Sequence, residues 1–184
     1  MNEETLSSGF FGEDITLDIY TDLKEFYTPA NGFSRLHLCR RYGKLHILKS
    51  LQPFYSSQEF YKQLLLKEFN IGYQLDHPNI RHTLGWEKND LLGNYIVLEY
   101  IDGIPLTTFI EQGKLTQALA YKFITEICNA LQYIHSKQLI HKDLKPNNIL
   151  ITHNGNNVKL IDFGLADCDD YEILKIPAGT EKYL

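Results

Sequence analysis

The 184-residue chain is 43% hydrophobic and 22% charged, a composition that fits a globular domain with a substantial core and argues against disorder. Its formal net charge of −5, without any basic run, disfavours nucleic acid and anionic membrane as partners. The three cysteines, Cys39, Cys128 and Cys168, are too far apart to indicate a disulfide framework or a zinc site. Without an export signal or a long apolar stretch, the expected location is cytoplasmic.

Residues 1 to about 20 carry little pattern. The first structured element that the sequence predicts is a β-hairpin. Two strand-like runs, Ser34 to Arg41 and Leu45 to Leu51, lie on either side of Tyr42 and Gly43. Lys49 falls late in the second of these strands.

A helix is predicted next, from Ser56 to about Leu75, with Ser56 and Glu59 forming a capping box. Glu68 lies on the same helical stripe as four apolar residues, Phe60, Leu64, Ile71 and Leu75. A carboxylate there either reaches water at the edge of the stripe or has a buried partner. Gly72 costs about 1 kcal/mol relative to alanine and predicts a loosely held helix.

Further elements follow in the second half of the chain. Strands are predicted near Arg81 to Trp86 and Tyr95 to Tyr100, and Thr116 caps a long helix whose apolar residues recur every three or four positions. Two short strands, Asn148 to Thr152 and Val158 to Ile161, then enclose a turn. The turn would bring Asn148 close to Asp162.

The densest chemical signal is the run His141 to Asn148, which reads His-Lys-Asp-Leu-Lys-Pro-Asn-Asn and is followed 14 residues later by Asp162-Phe163-Gly164. Phosphoryl transfer needs a divalent metal, a cation for the developing charge and a base for the attacking hydroxyl. Carboxylates, a carboxamide and a lysine that could serve these purposes are all present. The run resembles the catalytic loop and the metal-binding motif of eukaryotic-type protein kinases.

This resemblance implies roles for four residues of the run. Asp143 would be the catalytic base, and Lys145 would neutralise charge on the transferred phosphate. Asn148 and Asp162 would supply oxygen ligands to Mg²⁺. The Leu-Lys-Pro phrase is similar to that of serine/threonine kinases and argues against a small-molecule kinase of the aminoglycoside type.

The same resemblance implies a site for ATP. Lys49 precedes Glu68 by 19 residues, as do the strand lysine and helix glutamate whose ion pair holds the ATP phosphates in these enzymes. The segment from Leu98 to Gly103 is similar to the kinase hinge, where backbone groups meet adenine. The nucleotide-binding residues that the resemblance implies, besides Lys49 and the two metal ligands, are Asn31, Ser34, Leu36, Glu99 and Ile101.

The resemblance covers about Leu23 to Leu184 and implies an α+β, two-lobed fold. Residues 1–22 would be an N-terminal extension, and residues 23–100 a small antiparallel-sheet N-lobe with the helix that the family calls αC. Residues 101–184 would form the hinge and part of a helical C-lobe ending in the activation segment, where Thr180 would contact the base. Because the family's Ala-Pro-Glu motif is absent, we expect an incomplete C-lobe and a partner that covers it.

The expected activity is transfer of the γ-phosphate of Mg-ATP to serine or threonine hydroxyls of protein substrates. One departure weakens this expectation: Pro29, Asn31 and Ser34 occupy positions where the family has the three glycines of its phosphate loop. The alternative is therefore a non-catalytic, pseudokinase-like interaction module.

Overall fold

The computed structural model describes residues 19–28 and 32–166. The chain forms, in order, β1 (Tyr20–Tyr27), β2 (Ser34–Arg41), β3 (Lys44–Leu51), α1 (Glu59–Tyr73), β4 (Thr83–Asn89), β5 (Gly93–Glu99), β6 (Gly103–Pro105), α2 (Leu106–Glu111), α3 (Gln117–Ser136), β7 (Ile149–Thr152) and β8 (Val158–Leu160). Two short 3-10 turns, Pro53–Tyr55 and Pro146–Asn148, complete the list. The predicted α+β, two-lobed fold is confirmed.

The first lobe is a five-stranded antiparallel sheet in the order β1-β2-β3-β5-β4. Leu36 of β2 is paired with Lys49 of β3, so these two side chains share one face of the sheet. Helix α1 packs on this inner face, where Leu65 joins a cluster with Ile47 and Leu98. The opposite, outer face has its own buried cluster, which comprises Cys39, Leu48, Leu92, Tyr95 and Val97.

The second lobe consists of α2, α3 and a three-stranded sheet in the order β6-β7-β8. Its core continues into the first lobe, because Ile71 and Leu75 at the end of α1 pack in the same cluster as Phe163. A parallel bridge between Ile80 and Leu160 reinforces this junction. In the part of the chain that the structure describes, no helix is long and apolar enough to cross a bilayer.

The hairpin, the two longest helices and the paired strands of the second lobe match the predicted elements, but the start of α1 does not. Gln58 is the N-cap and makes no capping hydrogen bond. The predicted capping box is wrong because the Ser56 hydroxyl donates instead to the carbonyl of Pro53, at 2.7 Å. Phe60, placed on the apolar stripe by its spacing, is 47% exposed.

Strand β1 was not predicted. Seven of its eight residues are exposed, and its pairing with β2 has two register irregularities, so it lacks the alternation of a half-buried strand. The strand crosses the proposed boundary between residues 22 and 23. It belongs to the sheet as an edge strand.

The outer-face cluster contains two ionisable groups that should make the protein sensitive to alkali. Burial raises the pKa of the Cys39 thiol to about 11 and that of the Tyr95 hydroxyl to about 12. A raised pKa means that the folded state favours the protonated form. The resulting stability is fully present at a pH below the pKa values of the unfolded chain, 9.0 for Cys39 and 10.0 for Tyr95. It is lost as the pH rises through the higher pKa values of the folded protein.

We therefore expect the free energy of unfolding, measured by urea denaturation, to fall between pH 9 and pH 12. Tyr95→Phe should lessen the fall above pH 10, because the variant has no phenol to ionise. Tyr42→Phe is the control, since Tyr42 is 83% exposed, and it should behave as the wild type does. An unchanged pH dependence in Tyr95→Phe would contradict this assignment.

Candidate active site

Lys49 is the centre of a buried ion cluster at the junction of the two lobes. Its Nζ atom lies 2.7 Å from Oε1 of Glu68 and 3.0 Å from Oδ1 of Asp162. Lys49 and Glu68 are only 6% and 5% exposed. Glu68 therefore does not reach water at the edge of its helix, and the structure brings together three residues that the sequence places far apart.

The electrostatics of this cluster favour the charged form of Lys49. Burial alone lowers the pKa of Lys49, but the two neighbouring carboxylates, Asp162 and Glu68, reverse that effect and leave it raised. The Lys49 ammonium holds the pKa of Asp162 well below its usual range. Burial raises the pKa of Glu68, against the opposing effect of Lys49. One ammonium thus lies between two carboxylates, one of which, Asp162, is 41% exposed on its side chain.

A second group of polar side chains lies around the loop before β7. Lys145 Nζ is 2.7 Å from Oδ2 of Asp143, and Asn148 Nδ2 donates to the same oxygen at 2.8 Å and to the Asp143 carbonyl at 2.9 Å. The 3-10 turn Pro146–Asn148 aims Asn148 back at the loop. Lys142 adopts a left-handed φ of 61°, which shapes the backbone next to Asp143.

The two groups are joined through β7 and β8. The amide of Ile161 donates to the Asn148 carbonyl at 2.9 Å, which places Asn148 beside the residue that precedes Asp162. The rings of His141 and Phe163 also pack together, with centroids 4.9 Å apart, and His141 Nδ1 accepts from the Asp143 amide at 3.3 Å. A continuous series of contacts therefore links Lys49 to Asp143.

The oxygen atoms at this junction fit a hard divalent cation. Asp162 offers a carboxylate, and Asn148 uses its Nδ2 toward Asp143, which leaves its Oδ1 as an acceptor. Mg²⁺ prefers oxygen ligands and is commonly held by one or two protein groups together with phosphate oxygens. Asn148 and Asp162 are thus suited to hold Mg²⁺ when a nucleotide supplies the remaining ligands.

The predicted nucleotide-binding residues have different surroundings. Leu36 faces the same side of the sheet as Lys49, and Ser34 is two residues before it on the same strand. The Glu99 carboxylate lies 3.1 Å from His82 Nδ1 and 3.3 Å from Lys159 Nζ, and the Glu99 amide donates to the His82 carbonyl at 3.0 Å, so both groups already have partners within the protein. Ile101 is partly buried. Asn31 and Thr180 lie outside the described residues.

Two further residues contribute to this cluster: Arg81, which the sequence analysis does not place at the site, and Gly164, which it names only as part of a motif. Lys49 has the largest lowering effect on the pKa of Asp162, and the charge of Arg81 lowers it further. Arg81 also lowers the pKa of Glu68. Gly164 lets the carboxylates approach, since a Cβ there would lie 3.1 Å from Glu68 Oε2 and 3.2 Å from Asp162 Oδ1. Arg81 stands in the sequence only at the start of a predicted strand, and that position carries no sign of its charge contact with Asp162.

The sequence profile of the protein kinase domain matches residues 32–184, which include every residue of the cluster. The chain belongs to the protein kinase family. The two lobes described above are therefore those of a kinase domain.

The similar proteins in this family include several serine/threonine kinases. The chain is 39% identical over 128 residues to serine/threonine-protein kinase RUNKEL of Arabidopsis thaliana, covering 67% of this chain and 9% of that protein. It is 37% identical over 122 residues to serine/threonine-protein kinase PrkC of Bacillus subtilis (strain 168), covering 65% and 18%. It is 34% identical over 156 residues to the cAMP-dependent protein kinase catalytic subunit 3 of Drosophila melanogaster, covering 82% and 26%. The chain thus spans less than a third of the length of these relatives.

Proposed function

We propose that this kinase domain transfers the γ-phosphate of Mg-ATP to serine or threonine hydroxyls of protein substrates. The observation that carries the proposal is the pairing of Lys49 with both Glu68 and Asp162. A lysine held in this way would bind phosphate oxygens of ATP, and its neighbour Asp162 would hold the metal ion. Bound Mg-ATP would supply the phosphoryl group and the divalent charge.

Asp143 is suited to the role of base. Its carboxylate is 8% exposed and is held by Lys145 and Asn148, so its direction is fixed before a substrate arrives. It would orient the substrate hydroxyl and accept its proton. Lys145, already 2.7 Å from Asp143, would donate to the transferred phosphate and offset its charge.

The Leu-Lys-Pro phrase and the serine/threonine kinases among the similar proteins support serine and threonine as acceptors. The protein substrate and the cytoplasmic location remain predictions.

The glycine-poor segment before β2 favours a second candidate, a pseudokinase-like interaction module. Gly32 is the only glycine from residue 29 to residue 34, so the backbone there is less free to approach phosphates. This candidate predicts that partner proteins, rather than nucleotide, stabilise the fold. Nucleotide binding separates the two.

The decisive experiment is a thermal-shift titration of the full chain with ATP, with and without Mg²⁺. If the proposal holds, Mg-ATP at 100 times its Kd stabilises the protein by about 2.7 kcal/mol, and chelation of the metal removes most of this gain. Asp162→Asn should weaken the metal-dependent part, whereas Asp90→Asn, a change of the same kind on an exposed turn, should leave it intact. Absence of any Mg-ATP effect, with stabilisation by a protein partner, would favour the interaction module.

A further inference from the structure

The two residues that precede β2, Gly32 and Phe33, are tied to the end of β3 by a single residue, Gln52. The Gln52 amide donates to the Phe33 carbonyl at 2.8 Å, and its side-chain Nε2 donates to the Gly32 carbonyl at 2.7 Å. Because a carbonyl oxygen can only accept, the Nε2 atom of the carboxamide must be the one that faces Gly32. Two donors of one residue therefore fix two consecutive carbonyls.

Helix α1 holds the same two residues from another direction. The Phe33 ring packs on the Tyr61 ring, with centroids 5.4 Å apart, and Tyr61 packs in turn on Tyr55 at 4.5 Å. Phe33 and Tyr61 also border the inner-face cluster that contains Leu65. Ring pairs at these separations stabilise a contact beyond the area that they bury. The segment thus has a polar tie to β3 and an apolar tie to α1.

Both ties lie near the buried ion cluster. Leu36, three residues after Phe33, is paired with Lys49, and a strand rises about 3.3 Å per residue, so Phe33 lies about 10 Å along the sheet from that pair. On α1, Glu68 follows Tyr61 by seven residues, about two helical turns, so their side chains lie on one face of the helix. Helix α1 therefore contacts the segment through Tyr61 and the lysine through Glu68.

A segment held in this way is prepared for a bound nucleotide. Backbone amides attract phosphate groups, whereas carbonyl oxygens repel them. Since the Gly32 and Phe33 carbonyls are held at Gln52, neither turns toward a phosphate bound at Lys49. A glycine-rich loop loses much backbone freedom when it closes on a ligand. A segment that is already fixed loses less, so it binds at a smaller entropic cost.

We propose that Gln52 and Tyr61 are positioning residues, which hold Gly32 and Phe33 beside the phosphates of ATP and so compensate for the missing glycines of the phosphate loop. The inference rests on the proposed function, because it gives the two residues a role in the binding of Mg-ATP. Each residue acts through the segment that it holds, and not by touching the nucleotide itself.

The test combines calorimetric titration of the full chain with Mg-ATP and hydrogen exchange of the ligand-free protein. Gln52→Met keeps the length of the side chain and removes the Nε2 donor. The Kd for Mg-ATP should rise about two- to tenfold, the usual effect of one lost hydrogen bond. Hydrogen exchange of the peptide that contains residues 32–36 should become faster. Gln58→Met is the matched control, because Gln58 Nε2 donates to the Phe54 carbonyl at 3.1 Å in an exposed position, and it should change neither quantity.

Tyr61→Leu should likewise weaken Mg-ATP binding and accelerate exchange, whereas Tyr61→Phe keeps the ring and should match the wild type in both. If the wild type binds no Mg-ATP, the proposed function fails and this role fails with it. If the wild type binds Mg-ATP but Gln52→Met and Tyr61→Leu bind it equally well, the inference alone is overturned. A lower Tm with an unchanged Kd in these two variants would show a purely structural role and overturn it as well.

Discussion

Asp143→Asn is expected to reduce phosphoryl transfer by roughly 10²- to 10⁴-fold, the range usually lost with a general base. The carboxamide keeps the shape of the side chain but cannot accept the proton of the attacking hydroxyl. Nucleotide binding should be preserved, because the Lys49 cluster does not include Asp143. The expected signature is therefore a loss in kcat with an almost unchanged KM for ATP.

Transfer to a protein substrate is measured together with the thermal shift that Mg-ATP produces, so that an unfolded variant is recognised. Asp90→Asn is the matched control, since Asp90 is exposed on the turn between β4 and β5. It should retain full activity. If Asp143→Asn stays within a few-fold of the wild type, Asp143 is not the base.

Local pattern was sufficient to predict much of this fold. The hairpin of β2 and β3 follows from two alternating runs around Tyr42 and Gly43, whose φ angles of 49° and 77° suit a tight turn. Helix α3 follows from its apolar spacing and from Thr116, which accepts from the Leu119 amide. Both signals depend on neighbouring residues, which is why they can be read without tertiary information.

The active site required more than local pattern. Asp162 contacts Lys49 across 113 residues, and only the resemblance to a family could suggest that pairing. Gly72 predicts a loosely held helix by its propensity, but it is buried, and a Cβ there would collide with Thr83 Oγ1 of β4. The glycine therefore lets α1 pack closely on the sheet. Such requirements come from the neighbouring element and leave no trace in periodicity.

The largest effect on stability is expected from Lys49→Met. The substitution leaves the Glu68 and Asp162 carboxylates close together without their shared ammonium, and removal of one partner of a buried ion pair typically costs about 3–5 kcal/mol. Urea denaturation at pH 7 measures the loss. Lys62→Met is the control, because its 3.5 Å pair with Glu59 is exposed and such pairs contribute about 1 kcal/mol or less.

The double variant Lys49→Met/Glu68→Leu separates the cost of a stranded charge from the loss of a packing residue. Glu68 has one carboxylate oxygen that is buried without a hydrogen-bond partner, so an apolar residue there relieves an existing penalty as well as the new one. Asp162 can remain hydrated because its side chain is 41% exposed. The double variant should therefore recover most of the stability, yet phosphoryl transfer should stay lost, since no ammonium remains to hold the phosphates. A double variant as unstable as Lys49→Met would show that packing, and not uncompensated charge, determines the effect.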